Sequence, residues 1–326
     1  MPLNLDILFK RVISPLFKYP ILLGLLTLWY FKQRQCNLLQ LLLVLLSLML
    51  HVMVYLNHSY KERGRWPNLQ NKPQSTCVIT GGSNGLGLAM VEQFLFQFPC
   101  MTVVIIDKCV PKLKHSNIVF YQCDLSDSDE VESVLDQIIL NHGNVDVLVN
   151  NAGIRNKYQN FSNIRREDLS LIFKVNVVAP TIILQKLAPK DEARQFYLVT
   201  IASVLGINAP AKAATYAATK ASLIALHESW SHEHSDENLV RSLLVLPGQL
   251  DTAMFQGFKP PKEFLAPLVD PEKLAVEIVN CCRSGVRGEL CAPLYANFMY
   301  ILKGSPYMLV QLARKFSGMD KCLPIE

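Results

Sequence analysis

The segment from Thr76 to Phe98 does most to limit what this chain can become. Thr76-Cys77-Val78-Ile79-Thr80 is a short apolar, β-branched run that reads as a buried strand. It passes into Gly81-Gly82-Ser83-Asn84-Gly85-Leu86-Gly87, and then into helically spaced apolar residues at Leu88, Val91, Phe94, Leu95 and Phe98. A glycine run alone can be only a tight turn. Between a buried strand and an amphipathic helix it has a further use. Small residues let the backbone approach a pyrophosphate, whose charge is favoured by the helix amino terminus. Gly81, Ser83, Asn84, Gly85, Leu86 and Gly87 are therefore the expected phosphate-facing residues. Their spacing is G-x-x-x-G-x-G, not G-x-G-x-x-G.

The next apolar run, Thr102 to Ile106, ends at Asp107, twenty residues past Gly87. A carboxylate there is placed to hydrogen-bond the adenosine ribose hydroxyls, and it would repel a 2′-phosphate. Neither Ser83 nor Asn84 supplies a cation to offset that repulsion. NAD(H) is thus expected over NADP(H), although Lys108 follows the acid directly and keeps NADP(H) open. Asp124 comes after a strand at Ile118–Gln122, where it could meet an adenine amino group. Val145–Val149 runs into Asn150-Asn151-Ala152-Gly153, and Phe196–Ile201 leads toward Ser203. Helical stretches separate successive strands. That alternation predicts an α/β architecture, a doubly wound parallel sheet in a single catalytic domain.

Tyr216 and Lys220 stand four apart in a stretch of small residues that favours a helix, so both side chains share one face. A phenol with an ordinary pKa of ~10 is a poor base at neutral pH. An ammonium a few ångströms away favours the phenolate and is expected to bring it toward the working range. Ser203, at the end of its strand, can reach the same cleft and polarise a substrate carbonyl. Asn176, in a helix beginning near Arg165, could hold a water in a proton relay from Lys220.

Taken together these residues resemble the short-chain dehydrogenase/reductase superfamily over roughly residues 75–290. The matching motifs are Thr80-Gly81-x-x-x-Gly85-x-Gly87, Asp124, Asn150-Asn151-Ala152-Gly153, Asn176, Ser203, Tyr216-x-x-x-Lys220 and Pro247-Gly248-x-x-x-Thr252. The resemblance implies a Rossmann fold and an NAD(P)-dependent enzyme acting on CH–OH groups. It implies Tyr216 as acid/base, Lys220 also bonding the nicotinamide ribose, Ser203 orienting the substrate oxygen and Asn176 completing a tetrad. Asn151, Ala152, Gly153, Leu250 and Thr252 join the expected cofactor-binding set, Thr252 through the nicotinamide carboxamide. The family's helix around Tyr216 often forms a dimer face, so a homodimer is an open expectation.

Hydrophobic residues make up 50% of the 326-residue chain, and the long leucine runs lie in its first 60 residues. Leu38 to Leu56 would be ~28 Å long as a helix, close to the ~30 Å bilayer core, and is flanked by Lys32, Arg34, Lys61 and Arg63. Residues 21–31 would reach only ~16 Å, so either one span with a lead-in or a re-entrant hairpin is expected. The predicted organisation is an anchor at 1–60, a linker at 61–74, the catalytic domain at 75–290 and an apolar extension at 291–326. An endoplasmic reticulum or lipid-droplet surface, with the domain facing the cytosol, suits that anchor and places the retinol and hydroxysteroid dehydrogenase-like branch nearest. A net charge of +5 without a basic face gives no nucleic-acid partner. Nine cysteines without a C-x-x-C pair give no metal site.

Substrate contacts are expected from Phe255, Phe258, Phe264, Leu265 and Leu268, and from the tail at Leu294, Tyr295, Phe298, Met299, Tyr300, Ile301 and Leu302. So apolar a lining, in a protein at a bilayer, points to a lipophilic substrate such as a sterol, retinoid or long-chain lipid, with membrane lipid as a further partner. An NADPH-dependent ketolipid reductase of the 3-ketosphinganine type is the alternative. A non-catalytic membrane scaffold with a dinucleotide-binding fold is the third.

Overall fold

A computed structural model describes residues 4–15, 29, 37–72, 74–190, 194–255 and 259–324. The chain forms two compact units, Met1–Arg63 and Gly64–Glu326.

In the first unit the described residues include helix α1, Asn37–Lys61. The apolar run at 38–56 is part of it, and large side chains such as Leu41, Leu45, Met53 and Val54 are exposed. The helix closes on the polar residues Asn57, His58, Ser59 and Lys61. The side chains of residues 37, 39, 40 and 43 lie outside the described residues. Among the described residues no helix is long and apolar enough to cross a membrane. The expected span is therefore not borne out, and the 21–31 stretch, Trp29 aside, lies outside the description.

The second unit is built on seven parallel strands: β1 Thr76–Thr80, β2 Thr102–Asp107, β3 Ile118–Gln122, β4 Val147–Asn150, β5 Phe196–Ile201, β6 Val240–Pro247 and β7 Gly288–Ala292. Their order is β3-β2-β1-β4-β5-β6-β7. Such a sheet must be covered on both faces, and its strands read as continuous apolar runs. Alternation divides them between two cores. Cys77 and Ile79 pack with helices α2 (Gly85–Gln97) and α7 (Pro271–Ser284), whereas Val78, Val104 and Leu148 pack with α3 (Ser128–His142) and α5 (Ala179–Leu187). Helices α4 (Arg166–Phe173) and α6 (Ala214–Glu233) complete the crossovers. The doubly wound parallel sheet expected from the sequence is what forms.

Strand order reverses between β1 and β4, and a crevice opens there at the carboxyl ends of the strands. The opposite ends are pinned by Asp146. This buried carboxylate accepts the Thr76 N–H at 2.9 Å and pairs with Lys72. Removing it leaves a buried amide and an ammonium unsatisfied. Asp146→Ala should lower unfolding stability by about 3 kcal/mol, more than Lys72→Ala does, in denaturant titrations of the two variants.

Candidate active site

The crevice is a cleft of about 460 Å³ that runs from the glycine turn to Tyr216. Gly81, Asn84, Gly85, Leu86, Gly87, Asp107, Asp124, Asn151, Ala152, Gly153, Ser203, Tyr216, Lys220, Leu250 and Thr252 all line it. Residues from positions 81 to 252 thus meet in one place.

At one end, Gly81 turns the chain out of β1 with φ +66°, and its neighbour Gly87 packs against it. A Cβ on Gly87 would lie 1.9 Å from the Gly81 carbonyl oxygen, so only glycine lets α2 start so close. Asn84 is the residue before α2, and its side chain makes no capping hydrogen bond. The first-turn N–H groups at Gly85, Leu86 and Gly87 are therefore not claimed by that cap and border the cleft. The second wall is tied to the first: the Thr80 hydroxyl accepts the N–H of Asn151 (3.1 Å) and of Ala152 (3.0 Å). In return, Asn151 Nδ2 donates to the carbonyls of Thr80 and Gly81. Thr252 approaches from the β6 side, its Cγ2 in van der Waals reach of a Cβ built on Gly85. An uncapped helix start, a glycine-only approach and an acid at the end of β2 together fit a dinucleotide.

Ser83 departs from expectation. It is buried and does not line the cleft. Its N–H is given to Asp107 Oδ2 at 3.0 Å and its hydroxyl to the Cys109 carbonyl at 2.6 Å. It acts as a support for Asp107, whose other oxygen accepts the Cys109 N–H. Asp124 is held by Lys108 at 2.7 Å and by Ser126, and these bonds, the Lys108 one foremost, bring its carboxyl down to about 2.

At the other end, α6 is rich in alanine, a strong helix former. It carries Tyr216 and Lys220 on its buried face, one turn apart. Both are almost fully buried. The Lys220 ammonium lies 5.7 Å from the Tyr216 ring centroid and donates to the Ile201 carbonyl at 2.8 Å. Burial brings it down to about 8. The phenol behaves otherwise than the sequence suggests. Burial, reinforced by Tyr158, pushes it up, against a hydrogen bond with Ser203 and the charge of Arg155. Desolvation outweighs the opposing contributions. Ser203 lies just past β5 and caps the short 3₁₀ turn Val204–Gly206, its Oγ accepting the Leu205 N–H.

Asn176 sits in a π-turn, Lys174–Val178, between α4 and α5, an irregularity common at functional sites. It too departs from expectation, being wholly buried behind the cleft. Its Oδ1 accepts the Ile154 N–H at 2.8 Å, and its Nδ2 donates to the Ile154 carbonyl and the Thr219 hydroxyl. Gly153 is the meeting point: a Cβ there would be 3.4 Å from Asn176 Oδ1 and 3.6 Å from Lys220 Nζ.

No sequence pattern marks Tyr158, which is buried beside the phenol, or Arg155, which donates to the Met254 carbonyl at 2.7 Å. That bond ties the loop carrying Phe255, whose ring meets Tyr216 edge-on at 6.1 Å. Phe258 lies outside the described residues.

A family model for short chain dehydrogenases matches residues 75–263. The chain is 40% identical over 330 residues to the uncharacterized oxidoreductase TDA5 of Saccharomyces cerevisiae, covering 99% of this chain and 100% of that one. It is 27% identical over 290 residues to retinol dehydrogenase 10-B of Danio rerio, covering 79% and 86% respectively. Among solved structures, the 3-ketoacyl-(acyl-carrier-protein) reductase from Brucella melitensis complexed with NADH aligns with a TM-score of 0.60 at 24% identity, over 68% of this chain and 97% of that one. That likeness shows the fold.

Lys220 gives a pH-dependent prediction. Its folded value of about 8 lies below the ordinary 10.5, so between them the unfolded chain binds more protons and stability rises with pH. Below about 8 the full burial penalty is present. Lys220→Met should therefore match or exceed the parent by about 1–3 kcal/mol at neutral pH. That advantage should shrink as pH rises from about 8 toward 10.5, in unfolding titrations of both proteins. A constant difference would contradict the assignment.

Proposed function

We infer the reaction from one premise: this chain belongs to the short-chain dehydrogenase family and is a nicotinamide-dependent oxidoreductase. Its proposed reaction interconverts an alcohol and a carbonyl on a lipophilic substrate, with NAD(H) as the favoured cofactor. The observation that carries this is the burial of Tyr216 and Lys220 one turn apart at the inner end of a glycine-walled cleft.

When bound, the nicotinamide supplies or accepts the hydride. The chain's own groups handle the oxygen and its proton. Ser203, which lines the cleft with Tyr216, would hold the substrate oxygen. Tyr216, its pKa raised by burial, is protonated at neutral pH and so suited to give its proton to a carbonyl oxygen as hydride arrives. In the reverse direction the phenolate is needed, and the Lys220 ammonium is the nearby cation that favours it. Asn176 acts as a positioning residue: it holds Ile154 and thereby the Gly153 backbone against Lys220.

Two features support NAD(H). Asp107 is fixed by two backbone N–H groups at the end of β2. Lys108, the adjacent cation, is already paired with Asp124 instead of being left to meet a 2′-phosphate. A lipophilic substrate is supported by the apolar walls and by the likeness to retinol dehydrogenase 10-B of Danio rerio. Association with a cytosol-facing membrane surface is part of the same proposal. It is supported by the exposed apolar side chains of α1, and by those of Tyr307, Met308, Leu312 and Phe316 on helix α8, Tyr307–Ser317.

Two measurements test this reading. Tyr216→Phe should lower turnover by about 10²–10⁴-fold in a panel of sterols, retinoids and long-chain alcohols, with NADH still bound, as read by nicotinamide fluorescence. Parent-like turnover in that variant would remove the mechanism. NADH should bind about tenfold more tightly than NADPH, and Asp107→Ser should erase the difference. Tighter NADPH binding by the parent would favour the ketolipid-reductase alternative.

A further inference from the structure

Arg155 stands outside the lining of the cleft, yet it joins two segments that shape the cleft's inner end. It follows Asn150-Asn151-Ala152-Gly153-Ile154, the turn that leaves β4. Its guanidinium lies over the ring of Tyr158 at 4.5 Å, and Tyr158 is buried with Ala213 and Leu323. A buried ring is a fixed platform for a cation, and it sets where the rest of the side chain points. Arg155 Nε donates to the Met254 carbonyl at 2.7 Å. Met254 belongs to the short 3₁₀ turn Ala253–Phe255 in the loop after β6, and the Phe255 ring meets Tyr216 edge-on at 6.1 Å. Within that loop the Gln249 side chain reaches the Phe255 carbonyl at 3.4 Å, a long hydrogen bond. The shorter bond, brought across from the β4 turn, is the better tether for the ring.

The same side chain brings charge. Its positive field favours the Tyr216 phenolate, against the burial that opposes ionisation. The other titratable groups facing Tyr216 are Lys220 on α6 and Tyr158. Tyr158 is a phenol and offers no positive charge. Lys220, brought down to about 8 by burial, loses its charge in the alkaline range where a buried phenol ionises. A guanidinium is not deprotonated in proteins, so the charge of Arg155 persists there.

We propose that Arg155 is a positioning residue of the reaction: it ties the turn after β4 to the loop after β6, keeps Phe255 on Tyr216 and supplies a permanent positive charge near that phenol. The inference rests on the oxidoreductase reading, with Tyr216 as acid/base. Three substitutions separate the bond from the charge. Gln carries its amide nitrogen where Arg carries Nε, so Arg155→Gln keeps a donor for Met254 and removes the charge. Arg155→Lys keeps the charge, and Arg155→Met keeps neither. The full-length protein in lipid nanodiscs, with NADH, can be labelled with 3-fluorotyrosine, whose fluorine eases ionisation of the phenol. Of its eleven tyrosines, the ¹⁹F signal missing in Tyr216→Phe is that of Tyr216. In Arg155→Gln this signal should titrate about 0.5–1 pH unit higher than in the parent, with its chemical shift at neutral pH unchanged. In Arg155→Met the midpoint should rise equally, and the chemical shift should move toward that of Phe255→Leu, which lacks the ring. Arg155→Lys should titrate with the parent. A parental midpoint in Arg155→Gln, a parental chemical shift in Arg155→Met or a raised midpoint in Arg155→Lys would each overturn the assignment. Failure of the parent to bind NADH, read by nicotinamide fluorescence, would instead overturn the oxidoreductase reading.

Discussion

The site depends on a clasp between two turns at the point where strand order reverses. Parallel strands diverge into separate crossovers beyond their carboxyl ends, so nothing in the sheet itself fixes the loops there. Thr80 does so by accepting two amides from the Asn151–Ala152 turn, and Asn151 answers by bonding back to Thr80 and Gly81. Gly87 then packs directly on the Gly81 carbonyl. The result is a crevice with two rigid walls and a helix start between them. Such preorganisation lets backbone amides meet a charge without first being rearranged.

At the far end the same logic works against stability. An ammonium is buried with a backbone carbonyl as its hydrogen-bond acceptor, and a phenol is buried beside it. Both put titratable groups where their protonation responds to small changes in the cleft, the usual mark of an acid–base site. The supports lie one layer back: the π-turn holds Asn176, Asn176 holds Ile154, and Gly153 brings the backbone against Lys220.

What could be read from the sequence was local. The glycine turn, the strand patterns and the Tyr216–Lys220 spacing are each set within a few residues, and the structure assembles them as expected. What escaped depends on partners far along the chain. Ser83 is drawn behind the cleft by Asp107, 24 residues on, and Asn176 by Ile154, 22 residues back. Arg155 finds the Met254 carbonyl 99 residues away. The upward shift of Tyr216 is not legible in the sequence, because spacing reveals a neighbouring charge but not the depth of burial. The apolar run at 38–56 is helical as read, yet hydropathy along a sequence does not say what the helix rests against.

The most direct test is an experimental structure of the full chain with NADH. The account predicts the pyrophosphate over the amides of Gly85–Gly87, the adenosine ribose at Asp107, and the nicotinamide at the Tyr216 end of the cleft. A dinucleotide bound elsewhere, or reversed so that adenine lies against Tyr216, would contradict it.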